Sequence, residues 1–436
     1  VCSSDLTAHS GLTGACSGLL SLAKAAAALS TRQLPPLAGF EHPLADLSQG
    51  RLHIPLNPSY WLRDQQDGPR RAAVHCLSSE GSAVHVILEQ SAPHPELASS
   101  TPTGGLFPLF EKGHESLLDS DLPLHELARG WWHRHRGQQP KAWLVAETRA
   151  QLAQSLQHLE ALLKGPGQGQ GGLYFSRQPL GNSGGVAFIY PGSGNHYAGM
   201  GRELARFHPA IMESLDHESP QLRDYLAAPW TVPYRQSWPR DWAQESTRAI
   251  AQDLHRSIFG QVMFGLLASD IVRHYGLKPS YAIGYSLGES ASLMGLRAWP
   301  QRQEIHQRME ASDLFRRQLG GPCLAARRLW GLGPEDRFQW AVAVLTCSAP
   351  RAQAAMQGKL ELLIVNTDDE CVVGGDAPDL ARLIERLGCQ AFYLEAVPTV
   401  HSRAVEFVEQ EYFELHNVTV QPPEGVRYYS DYRGQS

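Results

Sequence analysis

An α/β fold is predicted for residues 181–436: a parallel sheet flanked by helices, with a smaller antiparallel subdomain inserted. Three observations predict it. The apolar run Val186-Ala-Phe-Ile-Tyr190 reads as a buried strand; it enters the turn Pro191-Gly-Ser-Gly-Asn-His196 and then a helix beginning near Met200. A second strand–turn–helix unit follows, with Tyr281-Ala-Ile as strand, Gly284-Tyr-Ser-Leu-Gly288 as turn and 289–296 as helix. Two such units in one segment favour parallel strands with helices on their faces. Between about 338 and 397 the pattern changes to strand (340–346), helix (349–356), strand (362–366), strand (371–374), helix (378–387) and strand (391–395). That βαββαβ order is the ferredoxin-like arrangement, set into the larger domain.

Upstream of 181 the elements are mixed. Residues 14–30 are rich in Ala and Leu, with strong helix propensity, and they stop at Arg32-Gln-Leu-Pro-Pro36, where proline cannot continue a helix. Val84-His-Val-Ile-Leu88 is a β-branched strand. Residues 92–110 are rich in Pro, Ser, Thr and Gly and read as a linker. Ala142-Trp-Leu-Val-Ala146 is strand-like, and Leu152, Leu156, Leu159 and Leu163 recur at helical spacing behind Thr148, an N-cap type. Residues 165–172 are almost entirely Gly and Gln, a loop. The expected division is 7–91, then a linker subdomain at 92–180, then 181–436. The first six residues, VCSSDL, read as a translated sequencing adapter, and both ends read as interior to a longer protein.

Composition bounds the function. With 436 residues the chain can hold two or three domains; 42% hydrophobic and 19% charged residues are globular values. The net charge of -6 is small and the Lys and Arg residues are scattered, which argues against a nucleic-acid partner. Seven widely spaced cysteines with no CxxC pair suit reduced thiols in a cytoplasmic protein, and no metal site is expected. The most apolar run, 18–29, carries Lys24 and is shorter than the roughly 20 residues of a membrane span.

The chemistry concentrates at Gly284-Tyr-Ser286-Leu-Gly288, a GxSxG nucleophile elbow, in which a sharp strand-to-helix turn pushes the serine hydroxyl out of the sheet. The flanking glycines remove side chains that would clash in so tight a turn. The Leu287 amide at the new helix N-terminus can hold an oxyanion. Pro191-Gly-Ser193-Gly stands at the end of the other strand, where the Ser193 N–H can supply a second donor; the alternative is a glycine turn without a chemical role. A serine needs a base, and histidine is the usual one. Of nineteen histidines, His401 stands out by position, because it follows the last strand of the insert, at Val397-Pro-Thr-Val-His-Ser402.

These residues carry a family resemblance. The stretch 186–201 resembles the opening of malonyl-CoA:ACP transacylase-type domains, and Gly284-Tyr-Ser-Leu-Gly-Glu289 resembles their GHSLGE elbow. Gln261 resembles their TQPAL-type glutamine, and Asn366 with Val372-Val-Gly-Gly resembles the strand pair before their histidine, which falls on His401. The resemblance implies an α/β-hydrolase-like sheet with a ferredoxin-like insert. It implies that Ser286 is acylated by an acyl-CoA thioester with His401 as base. It also implies that the amides of Ser193 and Leu287 hold the oxyanion, that Gln261 and Asn366 serve substrate binding, and that the acyl group passes to the phosphopantetheine thiol of an acyl carrier protein. No bound cofactor is implied. In the family the histidine is oriented by a backbone carbonyl from a later segment, expected here beyond Ser436.

Gly11-Leu-Thr-Gly-Ala-Cys-Ser-Gly18, Leu34-Pro-Pro36, Pro69-Arg-Arg-Ala72 and 81–89 resemble the C-terminal part of a β-ketoacyl synthase, a thiolase-like fold. Leu12 stands where that family has its catalytic histidine, so this part resembles a degenerate, chain-length-factor-like domain. The combination resembles the acyltransferase subunits of bacterial polyunsaturated fatty-acid synthases and related glycolipid synthases, which implies polyunsaturated fatty-acid or polyketide-type biosynthesis with other synthase domains as partners.

Malonyl-selective members carry an arginine twenty-five residues past the serine, a position held here by Ala311, with Arg308 three residues earlier as the candidate substitute. Val400 replaces a phenylalanine frequent in those members. Both departures predict an uncharged acyl group. Two other readings share the same residues: a thioesterase-like hydrolase, and a docking module without turnover. The absence of an HGGG segment weighs against the first.

Overall fold

The computed structural model describes residues 13–37, 55–91, 104–180, 184–219 and 254–434, apart from single residues and short breaks within those stretches. Leu12 lies outside them, as do 1–6. The chain divides into two compact units, Val1–Leu97 with Val186–Ser436, and Ala98–Gly185.

The first unit is built on a three-stranded sheet of Ala187–Tyr190, Tyr281–Gly284 and Arg427–Tyr429, with Tyr281–Gly284 in the centre and both pairings parallel. The register sets Tyr190 opposite Gly284 and Tyr429 opposite Ile283, so the two predicted turns leave the sheet at the same edge. Helix Leu287–Gly295 follows the central strand, and helix Leu254–His274 packs on it. Tyr190, Ala282, Ala291, Met294 and Trp299 form the core between sheet and helices. The Tyr190 hydroxyl reaches Ser269 Oγ at 2.7 Å, and Ser269 donates to the Gly265 carbonyl, so the buried phenol is satisfied. The strand Arg427–Tyr429 has no counterpart among the predicted elements; three residues are too few to show an alternation.

The insert has four antiparallel strands in the spatial order Leu360–Thr367, Glu370–Asp376, Trp340–Leu345, Ala391–Leu394. With helices Ala349–Ala355 and Ala377–Leu387 this is the ferredoxin-like topology the element order predicts. Leu380, Leu383 and Leu387, at helical spacing, bury against Leu345 and Val373 of the sheet. Proline opens the second helix, and Gly388, at φ 59°, closes it in the left-handed conformation glycine tolerates.

Within 13–91, helix Cys16–Thr31 lays Ala25 and Leu29 on Ala72 and Val74 of the hairpin Arg71–Leu77/Ala83–Glu89. This segment joins the main core through Tyr60, 1% exposed among Met212, Leu215 and Phe264. Arg63 Nε donates to the buried Asp216 carboxylate at 2.6 Å.

The unit Ala98–Gly185 has its own core. Strands Gly105–Leu109, Ala142–Ala146 and Leu173–Phe175 form an antiparallel sheet, with helices Leu124–Arg134 and Arg149–Lys164 burying Leu127, Trp131, Leu152 and Leu159. Thr148 is the N-cap of the second helix and makes a capping box with Gln151. The predicted linker 92–110 is corrected at its end. Residues 105–109 form a strand in which Phe107 and Leu109 are fully buried, because their apolar area outweighs the turn-forming composition around them. Among the described residues no helix is long and apolar enough to cross a membrane.

Candidate active site

Ser286 occupies the turn between Tyr281–Gly284 and Leu287–Gly295 with φ 54° and ψ −116°, a conformation L-residues rarely adopt. The turn closes only because both flanking glycines lack a side chain: a Cβ on Gly284 would stand 2.0 Å from the Gly288 carbonyl carbon, and one on Gly288 would stand 2.1 Å from the Tyr190 oxygen. Such approaches to backbone atoms cannot be relieved by a rotamer change. The elbow is therefore wedged against the neighbouring strand, and the serine hydroxyl projects from it.

His401 arrives from the insert. Its turn, Thr399–His401, is fastened from beneath: the Thr399 N–H donates to the Leu319 carbonyl at 2.8 Å, and Thr399 is fully buried. On the other side the Arg403 N–H and guanidinium both donate to Glu361, at 2.9 and 2.6 Å. Held this way, His401 Nε2 lies 2.7 Å from Ser286 Oγ. Burial pushes the imidazole below its ordinary pKa, and the nearby Glu289 carboxylate partly offsets this. The ring therefore stays neutral, and able to accept a proton, into mildly acidic solution. Glu289 is itself held by the Asp431 N–H at 2.9 Å.

Ser193 and Leu287 come together at the same place, lining with Ser286 and His401 an open cavity of about 1310 Å³. The Leu287 amide begins the helix, where N–H groups have no intrahelical acceptor. Phe315, Val400, Val405 and Tyr412 give the cavity apolar wall. Glu289, Glu406, Glu409, Glu411 and Asp431 also line it, and Arg328 is the one Lys or Arg among its described lining residues.

The three residues expected to touch substrate do not line this cavity, and each has another role in the geometry. Gln261, 4% exposed, donates its side-chain amide to the Pro191 carbonyl at 3.0 Å and also to that of Gly192, and so holds the turn that presents Ser193. Asn366 accepts from the Tyr285 hydroxyl at 3.0 Å and donates to Glu370 at 2.8 Å, one step behind a residue of the wall. Arg308 points elsewhere: its guanidinium donates to the carbonyls of Glu414 and Asn417, at 2.8 and 3.0 Å, at the end of helix Glu409–His416, and pairs with Glu304. Ala311 ends helix Arg302–Ala311 at the surface. Arg328 and Asp431 carried no sequence signal that separates them from other charged residues, whereas Glu289 belonged to the quoted elbow.

This mixed α/β arrangement matches the fold of solved acyltransferase domains of polyketide synthases. The solved acyltransferase domain of ZmaA matches with a TM-score of 0.55, at 13% identity over 77% of this chain and 74% of its own. That from module 8 of the salinomycin polyketide synthase matches with a TM-score of 0.50, at 20% identity over 78% and 77%. No family model matches the chain. In sequence it is 25% identical over 437 residues to the pikromycin polyketide synthase component PikAIII of Streptomyces venezuelae, covering 94% of this chain and 25% of that protein. It is also 23% identical over 441 residues to the polyketide synthase GfsE of Streptomyces halstedii, covering 92% and 10%. The chain thus spans a quarter or less of the length of these relatives.

Proposed function

We propose that residues 181–436 are an acyltransferase domain that moves an acyl group from acyl-CoA to the phosphopantetheine thiol of an acyl carrier protein, by way of an acyl-serine at Ser286. The 2.7 Å contact between Ser286 Oγ and His401 Nε2 carries this reading. Ser286 Oγ attacks the thioester carbonyl carbon while its proton passes to His401 Nε2. The carbonyl oxygen becomes an oxyanion facing the N–H groups of Leu287 and Ser193. On collapse the C–S bond breaks, and the coenzyme thiolate leaves with the proton from His401. In the second half the carrier thiol gives its proton to His401 and attacks the acyl-serine, and Ser286 Oγ recovers the proton as it departs.

The similarity to polyketide synthases supports chain-building synthesis of the polyketide type, with the carrier protein and other synthase domains as partners; the polyunsaturated fatty-acid type rests on the sequence resemblance alone. Residues 7–91 are read as the tail of a ketosynthase-like domain without condensing activity. Val400 and the position of Arg308 favour an uncharged acyl group.

Single-turnover acylation tests the whole reading. The protein is incubated with acyl-CoA and followed by intact-protein mass spectrometry, with and without holo carrier protein. An adduct on Ser286 that moves to the carrier faster than it hydrolyses supports transfer. Release of free acid at the same rate in both arms identifies a hydrolase, and no adduct at all identifies a module without turnover.

A further inference from the structure

The unit Ala98–Gly185 takes no part in the chemistry above, yet it contains a buried imidazole nitrogen without a hydrogen-bond partner. His114 opens the short turn His114–Leu117 and is 2% exposed. Its Nδ1 lies 3.0 Å from the Phe110 carbonyl oxygen. A carbonyl only accepts, so Nδ1 carries the hydrogen, and in the neutral ring Nε2 is left with a lone pair. That Nε2 is buried and makes no hydrogen bond. A buried acceptor of this kind calls for a donor or a cation.

Two carboxylates stand where such a cation would be. Glu115 Oε1 is 4.0 Å from His114 Nε2, and Glu160, from helix Arg149–Lys164, completes a group whose ligand atoms all lie within 4.8 Å of one another. We propose that His114, Glu115 and Glu160 bind a divalent first-row metal ion, with Zn²⁺ as the fitting member. Two carboxylates and a neutral imidazole match the charge of such an ion, and imidazole with carboxylate is a ligand set that suits zinc. The Nδ1–H bond to a backbone carbonyl is the arrangement that commonly fixes the tautomer of a metal-bound histidine. Zinc bonds of about 2.0–2.2 Å bring neighbouring ligand atoms to roughly 3.3–3.5 Å. The carboxylates therefore close in by about an ångström, which both can do because they are exposed. Water fills the remaining position. The ion would fasten the turn His114–Leu117 to the helix carrying Glu160. The ligands come from positions 114, 115 and 160, a spacing that matches no local metal motif.

The test uses the full chain, stripped with chelator and titrated with Zn²⁺ against a chromophoric competitor. Cysteines and other histidines take up zinc nonspecifically, so the readout is the difference between wild type and the Glu115→Gln/Glu160→Gln double variant, whose changes are at the surface. Wild type should bind one equivalent more. Loss of an outer partner alone costs about 10–100-fold in metal affinity, and removal of two direct ligands should cost at least that. Co²⁺ in place of zinc should give a visible d–d spectrum in wild type that the double variant lacks. Equal stoichiometry and affinity in the two proteins would overturn the proposal. So would an NMR titration of the metal-free and zinc-loaded protein in which His114 stays protonated and unshifted by zinc, which would make it a cation paired with the carboxylates.

Discussion

His401 Nε2 and Ser286 Oγ are 2.7 Å apart although 115 residues separate them in the chain. Each is held by its own local device: Ser286 by an elbow wedged through Gly284 and Gly288, His401 by a turn pinned to Leu319 below and Glu361 beside it. The contact depends on how the insert returns to the large domain, and it sets the first expected outcome. Ser286→Ala should abolish the acyl adduct seen by intact-protein mass spectrometry. His401→Ala should slow its formation by about 10²–10⁴-fold, the usual worth of a general base. Ser193→Ala should stay within about tenfold of wild type, since only a backbone N–H is used there. An adduct that persists in Ser286→Ala would sink the assignment.

The pH dependence follows from the environment of His401. Burial lowers its pKa from the ordinary 6.5, so the neutral base persists to lower pH than a free imidazole would. The acylation rate should rise with pH along a limb centred below 6.5 and be flat at neutrality. The Glu289 carboxylate raises that pKa, so Glu289→Gln should move the limb to still lower pH. Rapid-quench acylation between acidic and neutral pH measures both, and a limb that moves upward in the variant contradicts the arrangement.

Backbone geometry at the elbow makes a separate prediction. Gly288→Ala should lower stability by at least about 1–3 kcal/mol through overpacking against Tyr190, and should remove acylation. Ser286 is a non-glycine residue at φ 54°, so Ser286→Gly should be more stable than Ser286→Ala, by up to about 1 kcal/mol. Thermal and urea unfolding of the three variants decide this. Equal stability of the Gly and Ala variants would mean the elbow is unstrained.

Acyl-group selection rests on charge. Glu289, Glu406, Glu409, Glu411 and Asp431 line the cavity, with Arg328 the one Lys or Arg among its described lining residues, while Arg308 is engaged with helix carbonyls. A malonyl carboxylate without a firm partner would cost several kcal/mol on burial, whereas an uncharged chain gains about 0.8 kcal/mol for each buried methylene. Acyl-serine formation should therefore be faster from acetyl- and longer acyl-CoAs than from malonyl-CoA. A malonyl preference that disappears in Arg328→Ala would reverse this conclusion and make Arg328 the carboxylate partner.

The N-terminal segment should contribute no condensing step, because Leu12 can neither donate a proton nor stabilise an enolate. Leu12→His alone should give no decarboxylation of malonyl thioesters, measured by release of labelled carbon dioxide. A gain from that one change would refute the reading of 7–91.

Most of the site-bearing unit, and the helix start at Thr148 in the unit Ala98–Gly185, was legible in order along the chain. Strand Ala187–Tyr190, the elbow, the βαββαβ insert and the N-cap at Thr148 are set by short-range rules: alternation, glycine in tight turns, proline at helix starts and a side-chain oxygen for orphan N–H groups. Ser286 and His401 could be named because an elbow and a chain return are local features. The direction in which a long side chain points is not local. Gln261 turns inward to hold the Pro191–Ser193 turn, Arg308 caps the helix ending at His416, and Arg328, forty-two positions past the serine, reaches the cavity instead. Strand Arg427–Tyr429 exists only because the edge of Tyr281–Gly284 offers it unpaired backbone groups, and Gly105–Leu109 is a strand because a core forms beneath it. Composition and spacing thus specify where backbone must turn or extend, whereas the partner of each long polar side chain is decided by which elements tertiary packing brings within its reach.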